Sequence, residues 1–298
     1  MPQLKIVPPS DLNTPDLAPN FGEFGIRFLA EGDSWFTIGA LNPLKNSNLL
    51  FEMRFAQSAV AVNCATPGDT LQRMAQLSRD PVFVDLLTGK RRRPWDALLL
   101  SCGGNDLIDA LAVRGPGIPL HLRLLREAAE WGDPAQGAAR YLSDTGWQTF
   151  STYLKANLDQ IVALRDAPRS QSKGVPVFLH GYAVPMPRPA PAELGLGPWL
   201  LPSVQAYGLP EADYAAVAAL LIGRLAALLA SCAADAARYP NLHFFDTTLI
   251  PIVPAAQGST GSSGDWVNEI HLTSAGCEKL ARPWAQAIEA VIVAQRGG

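Results

Sequence analysis

The sequence predicts a doubly wound α/β fold, built around one parallel sheet of about five strands. Five short runs are apolar throughout rather than alternating, which is typical of parallel strands buried on both faces. Helical patterns separate these runs along the chain, so each strand can cross over to a parallel neighbour. The chain has 298 residues, 48% of them hydrophobic, which is enough for one large domain with insertions.

The predicted elements follow one another in a regular alternation. The strands are expected at residues 26–30, 59–65, 96–103, 175–182 and 242–247, with the third the most apolar. Helices are expected at 44–55, 70–78, 147–161, 213–237 and 274–294. The third helix is the clearest, because large apolar side chains recur there at three- and four-residue spacing.

Two segments lie outside this alternation. Residues 1–24 are rich in Pro, Asp and Asn, which predicts an extended N-terminal arm ahead of a single domain at 25–298. Residues 182–210 are rich in proline and carry Trp199 and Tyr207. Long loops in compact domains are usually functional or disordered. We interpret this insertion as a lid or pocket wall, with simple packing over the sheet edge as the alternative.

Composition argues against several classes of partner. The net charge is −3, so no positive field favours nucleic acid or an anionic membrane. The four cysteines lack zinc-ligand spacing with the four histidines, and we expect no metal and no organic cofactor. The N-terminal residues contain no signal-like apolar core, and no apolar run reaches transmembrane length. We therefore expect a cytoplasmic protein without an integral membrane segment, and leave its oligomeric state open.

Four polar segments follow predicted strands. Ser34 lies in Gly-Asp-Ser-Trp after the first strand, and Gly68 lies in Thr-Pro-Gly-Asp after the second. Asn105 lies in Gly-Gly-Asn-Asp after the third strand, and His271 ends Asn-Glu-Ile-His after the fifth. Because ligands bind beyond the carboxyl ends of parallel strands, these residues are expected to meet at one edge of the sheet.

These residue types are the ones that acyl transfer requires. A serine hydroxyl is a weak nucleophile until a base takes its proton, and His271 can act as that base. The tetrahedral intermediate carries an oxyanion that needs preorganised donors. The backbone N–H groups of Ser34 and Gly68 and the carboxamide of Asn105 can supply them.

The four segments resemble the sequence blocks of the SGNH hydrolases, also called GDSL esterases and lipases. GDSW stands where that family has its nucleophile, GGND matches its G-x-N-D block, and NEIH stands where it usually has D-x-x-H. The resemblance implies Ser34 as nucleophile, His271 as base, and an oxyanion hole formed by Ser34, Gly68 and Asn105. It also implies a flavodoxin-like three-layer α/β/α sandwich. The G-x-S-x-G elbow of α/β-hydrolases is absent around Ser34.

The family's activity is cleavage of carboxylic esters, and its substrates include lipids, acetylated sugars and thioesters. The resemblance therefore implies a serine esterase, lipase or acetylesterase that acts on a small-molecule, lipid or acylated-sugar ester. Neither the acyl length nor the natural substrate follows from the sequence.

Asn268 departs from the family pattern, because the family has an aspartate three residues before its histidine. That acid accepts the Nδ1 hydrogen and stabilises the imidazolium that forms during catalysis. Three explanations are open: Asp265 or Glu269 replaces the acid, Ser34 and His271 act as a dyad oriented by Asn268 or a backbone carbonyl, or the enzyme has lost activity. The last explanation allows another function class, a module that binds an acylated or glycosylated ligand without cleaving it.

Overall fold

The computed structural model describes residues 1–37, 47–76, 78–192 and 195–297. Across these residues, six strands form one parallel sheet in the order β1-β3-β2-β4-β5-β6. The strands are β1 Lys5–Val7, β2 Ile26–Gly32, β3 Ala59–Asn63, β4 Ala97–Ser101, β5 Val177–His180 and β6 Leu242–Phe245. All five predicted strands are present, and β1 is one more than the sequence predicted.

Eight α-helices connect the strands and flank the sheet in the described part of the chain. They are α1 Leu49–Glu52, α2 Leu71–Met74, α3 Pro81–Thr88, α4 Gly104–Ala112, α5 Asp144–Arg165, α6 Leu201–Ala206, α7 Tyr214–Ala234 and α8 Ser274–Gly297. Helix α1 packs on α8, whereas α2 and α3 pack on α5. These two groups of helices and the sheet between them give the predicted three-layer α/β/α sandwich.

The sheet is buried because its strands carry apolar side chains on both faces. Every residue of β4 and β5 is buried, and so is every residue of β2 except Arg27. Arg27 forms an ion pair with Asp96 at 2.9 Å, just before β4 begins. The continuous apolar runs of the sequence therefore reflect a sheet covered on both sides.

The N-terminal arm and the first predicted helix differ from expectation for one shared reason. The backbone N–H of Leu4 donates to Met53 at 3.1 Å, and that of Phe55 donates to Pro2 at 3.1 Å. The arm continues into β1 at the sheet edge, and α1 ends at Glu52 instead of residue 55, just before the paired residues Met53 and Phe55. Residues 38–46, which include the start of that predicted helix, lie outside the described residues.

The sequence-based expectation that no apolar run has transmembrane length was wrong for helix α7. The segment Glu211–Ala234 has 24 residues and contains an 18-residue window with a mean hydropathy of 2.1, so length and composition alone would let it cross a membrane. A core helix of a folded domain passes the same test. One side of α7 is buried, including Val217, Leu221 and Leu225, and the helix packs against β6.

The sheet order places a crevice beside the carboxyl end of β2. The chain passes from β2 to β3 on one side of β2 and then crosses over from β3 to β4 on the other side, so the strand order reverses beside β2. Such a reversal opens a ligand-binding crevice in doubly wound sheets. Gly32 at the end of β2 lies opposite Ser101 at the end of β4, and Ser34 follows two residues later.

Gly32 is required by the close approach of β4. A Cβ atom at Gly32 would lie 2.7 Å from the Ser101 Cβ and 2.8 Å from the Ser101 carbonyl oxygen. We predict that Gly32→Ala lowers the free energy of unfolding by about 1–3 kcal/mol, because overpacking forces the two strands apart. Urea unfolding measures this change.

Gly223 provides the matched control, because a Cβ atom there would meet no atom within 4 Å and the residue lies inside α7. Gly223→Ala is expected to stabilise the protein by roughly 0.5–1 kcal/mol, since alanine loses less conformational freedom in a helix. Equal effects of the two substitutions would contradict a special role for the Gly32 contact.

Candidate active site

Ser34 lies in a turn directly after β2, and Asp33 holds that turn in place. The Asp33 carboxylate accepts hydrogen bonds from the Trp35 backbone N–H at 2.9 Å, the Ser101 hydroxyl at 2.7 Å and the Tyr182 hydroxyl at 2.5 Å. Burial raises the pKa of Asp33 to about 6, although these three donors oppose that shift. Asp33 thus braces the serine loop against β4 and the chain after β5.

Ser34 and His271 are separated by 237 residues in sequence and hydrogen-bond directly in the structure. The His271 Nε2 atom lies 2.7 Å from the Ser34 Oγ atom. Both side chains are buried, with 8% of Ser34 and 6% of His271 exposed. The contact has the geometry of a nucleophile and its general base.

Asn268 occupies the third position of this hydrogen-bonded series. Its Oδ1 atom lies 3.0 Å from the His271 Nδ1 atom. The same oxygen accepts the backbone N–H groups of Ile270 at 3.2 Å and His271 at 2.9 Å. Because two backbone donors face this atom, the side chain presents its oxygen to the ring. An acceptor at Nδ1 places the hydrogen on Nδ1 and leaves Nε2 free to accept the serine proton.

Burial lowers the pKa of His271 to about 4. The ring is therefore neutral at pH 7, which is the protonation state a general base needs. Trp199 packs edge-on against it, with ring centroids 5.3 Å apart and an interplanar angle of 89°. The indole excludes water from one side of the imidazole.

Asp265 and Glu269 were the alternative acids, and within the described residues neither hydrogen-bonds to His271. The Asp265 carboxylate accepts the Val253 backbone N–H at 2.6 Å and pairs with Lys279 at 2.6 Å. It braces the loop before the histidine. The structure brings Asn268, and not these acids, to the ring nitrogen.

Glu269 is turned toward the 182–210 insertion. Its carboxylate accepts the backbone N–H groups of Leu200 and Leu201, both at 2.8 Å, as well as those of Trp199 and Arg188. Burial raises the pKa of Glu269, and these four backbone donors oppose the shift. Glu269, the residue next to Asn268, therefore fixes the part of the insertion that contains Trp199.

Arg188 ties the same insertion to the catalytic segment from another direction. Its fully buried guanidinium donates to the Asn268 backbone carbonyl at 2.7 Å and to the Ser259 carbonyl at 3.1 Å. Three residues that support the site were not predicted from the sequence: Arg188, Tyr182 and Ser101. Only Tyr182 and Arg188 carried a signal, as large polar side chains within a proline-rich insertion.

Gly68 lies in the loop after β3, and Asn105 lies in the first turn of α4, after β4. Gly68 has a φ of 82°, which a residue with a side chain rarely adopts. The Asn105 Nδ2 atom donates to the Asp69 carbonyl oxygen at 3.0 Å, which joins the start of α4 to the loop after β3. A carboxamide nitrogen carries two hydrogens, so a second donor remains after this bond.

An apolar cleft adjoins Ser34 and contains Asn105 in its wall. Its empty volume is about 430 Å³, open solvent included. The other lining side chains are mostly apolar and include Leu107, Ile108, Pro185, Leu200, Ile222 and Ile270. Pro185 and Leu200 belong to the 182–210 insertion, which therefore forms part of the cleft wall.

Two solved lipases have a similar fold. The extracellular lipase of Streptomyces rimosus is 19% identical, with a TM-score of 0.50 over 88% of this chain and 99% of the lipase. The lipase Lip_vut3 from a goat rumen metagenome is 12% identical, with a TM-score of 0.51 over 88% of this chain and 96% of that one.

Comparison of the sequence alone finds no such relatives. No protein-family model matches it, and no curated protein matches it. At identities of 12% and 19%, the structural likeness shows the fold alone. The predicted resemblance to the SGNH hydrolases is thereby confirmed at the level of fold: this chain has the α/β/α sandwich of these two lipases.

Proposed function

We propose that the protein is a serine hydrolase of the SGNH type that cleaves a carboxylic ester through an acyl-enzyme. The observation that carries this proposal is the hydrogen-bonded series from Ser34 through His271 to Asn268, buried at the switch point of the sheet. A polar turn without a catalytic role would have no need of a neutral histidine held 2.7 Å from the serine hydroxyl. Structurally similar lipases support the same class of reaction.

The reaction would begin with attack of the Ser34 oxygen on the ester carbonyl carbon, while the serine proton passes to His271 Nε2. The carbonyl oxygen becomes an oxyanion, which the Ser34 and Gly68 backbone N–H groups and the Asn105 carboxamide would stabilise. The alcohol leaves with the proton from Nε2. A water molecule then attacks the acyl-enzyme, with His271 again as base, and releases the acid.

The apolar cleft supports an ester with at least one apolar part near its carbonyl. Leu107, Ile222 and Ile270 line it together with Ser34. Burial of CH₂ groups there is worth about 0.8 kcal/mol each. A series of p-nitrophenyl esters of increasing acyl length would show how much of the acyl chain the cleft accepts.

Asn268 is the observation that favours a second candidate, a module that binds an ester or glycosylated ligand without cleaving it. A neutral amide cannot stabilise the imidazolium by charge, so turnover would be slow. The lowered pKa of His271 acts in the same direction, because a weakly basic ring takes up the serine proton less readily. The orientation of the Asn268 oxygen favours the enzyme.

A fluorophosphonate probe separates the two candidates, because it reacts only with an activated serine. We predict that the folded protein is labelled, that Ser34→Ala abolishes labelling, and that His271→Ala reduces it at least 100-fold. Ser262→Ala, which changes an exposed loop serine, should leave labelling unchanged. An unlabelled wild-type protein that still binds an ester ligand would contradict the enzyme and favour the binding module.

Asn268→Asp tests the missing charge. The carboxylate would accept the same three hydrogens, and a charged acceptor strengthens the bond to the imidazolium by about 1–2 kcal/mol. We therefore predict a gain of about tenfold in kcat for p-nitrophenyl acetate. The acid limb of the pH–rate profile should also move to higher pH, because an anion beside His271 raises its pKa from about 4.

Asn268→Ala is the matched control, and it should lower kcat because the ring loses its acceptor. Thermal unfolding of all three proteins would show that the differences do not arise from misfolding. An unchanged kcat and an unchanged acid limb in Asn268→Asp would mean that Asn268 does not orient the histidine.

A further inference from the structure

A cluster of three carboxyl groups lies near the candidate active site, and one of them, Glu31, is three residues before Ser34 in the chain. Glu31 belongs to β2, Asp69 follows β3, and Asp80 precedes α3. One ligand oxygen from each lies within 4.8 Å of the other two. Glu31 is fully buried and Asp80 is 8% exposed. The cluster is separate from the Ser34, His271 and Asn268 series, and the proposed mechanism does not use it.

Two oxygens of this cluster accept no N–H group from the part of the chain that the structure describes. Glu31 Oε1 accepts the Gly32 backbone N–H at 2.7 Å, and Asp80 Oδ1 accepts two backbone N–H groups at the start of α3. The second oxygens, Glu31 Oε2 and Asp80 Oδ2, are buried and receive no N–H donor among the described residues, and the two carboxyl groups lie close enough to share a proton. An unsatisfied buried carboxylate oxygen is costly, so this pair points to a ligand that the protein itself does not provide.

The charges of the cluster also favour a positive ligand. Three carboxyl groups whose oxygens lie within 4.8 Å of one another repel each other when ionised unless a cation lies between them.

The geometry points to a divalent cation, and we propose that Glu31, Asp69 and Asp80 form a Ca²⁺ site. Calcium takes six to eight oxygen ligands at 2.3–2.6 Å in flexible geometry, whereas magnesium demands near-octahedral geometry at 2.0–2.1 Å. Three carboxyl oxygens within 4.8 Å of one another can reach one ion, and the flexible coordination of calcium accepts an irregular set of oxygens more readily. Water and backbone carbonyls would complete the coordination.

The site would join the two sides of the catalytic crevice. Glu31 is followed directly by Gly32, Asp33 and Ser34, so an ion there would fix the strand that carries the nucleophile. The Asp69 carbonyl accepts the Asn105 carboxamide at 3.0 Å, so the same ion would fix the loop of the proposed oxyanion hole. The sequence did not reveal this site because its ligands come from three separate segments rather than one spaced motif.

Thermal unfolding of the full chain tests the proposal without reference to esterase activity. The protein is first freed of divalent ions with EGTA and dialysed at pH 7.5. Addition of CaCl₂ at 5 mM should raise the Tm by about 5 °C, as expected for an ion present at roughly 100 times its Kd. MgCl₂ should produce a smaller rise, and NaCl of equal ionic strength should produce none. Titration calorimetry should give one ion per chain.

Substitutions of the proposed ligands test whether the calcium-dependent rise in Tm arises at this cluster. Glu31→Gln and Asp80→Asn should abolish the calcium-dependent rise in Tm, whereas Glu278→Gln, which removes an acid on α8 paired with Arg282, should keep it. In EGTA, Glu31→Gln should be at least as stable as the wild type, because it removes a buried repulsive charge. That result would show that loss of the calcium effect does not come from misfolding.

Two outcomes would overturn the proposal. In the first, neither calcium nor magnesium changes the Tm of the wild type, and Glu31→Gln is still more stable than the wild type. This result would mean that Glu31 and Asp80 share a proton instead of binding an ion. The other is a calcium-dependent rise that persists in both Glu31→Gln and Asp80→Asn, which would place the ion elsewhere.

Discussion

The candidate site depends on one oxygen atom, Oδ1 of Asn268. Two backbone N–H groups fix this atom, and it in turn fixes the tautomer of His271, which faces Ser34. An amide can replace a carboxylate in this orienting role because orientation needs an acceptor, while only stabilisation of the imidazolium needs charge. In the usual triad a single aspartate both orients the histidine and stabilises the imidazolium. In the proposed site Asn268 can orient His271, but it brings no charge to stabilise the imidazolium.

The insertion after β5 stabilises this arrangement from outside. The Glu269 carboxylate accepts hydrogen bonds from four backbone N–H groups of the insertion, and the Arg188 guanidinium donates to the backbone carbonyl of Asn268. Trp199 is thereby held against the imidazole, and Leu200 against the cleft. The residues on either side of the histidine thus act together: Asn268 orients the ring, and Glu269 positions the wall that shields it.

Much of this architecture could be predicted from the sequence, because it rests on local patterns. Continuous apolar runs identified five strands, and polar segments at their ends identified Ser34, Asn105 and His271 as neighbours. Strand β1 was missed because a three-residue edge strand has no periodicity to detect. The roles of Glu269 and Arg188 were missed because their partners are backbone groups of a distant loop, and long-range hydrogen bonds leave no pattern in the chain. From the sequence, Glu269 was a candidate for the third member of the triad. In the structure its carboxylate points toward the 182–210 insertion instead.

The most direct test of the account is nitrogen NMR of the protein labelled with ¹⁵N-histidine, with His271 assigned by the loss of its signals in His271→Gln. We predict a neutral ring at pH 7 that carries its hydrogen on Nδ1 and none on Nε2, and that becomes protonated only as the pH falls toward about 4. A hydrogen on Nε2 at pH 7, or an imidazolium at that pH, would contradict the claim that the Asn268 oxygen prepares His271 to activate Ser34.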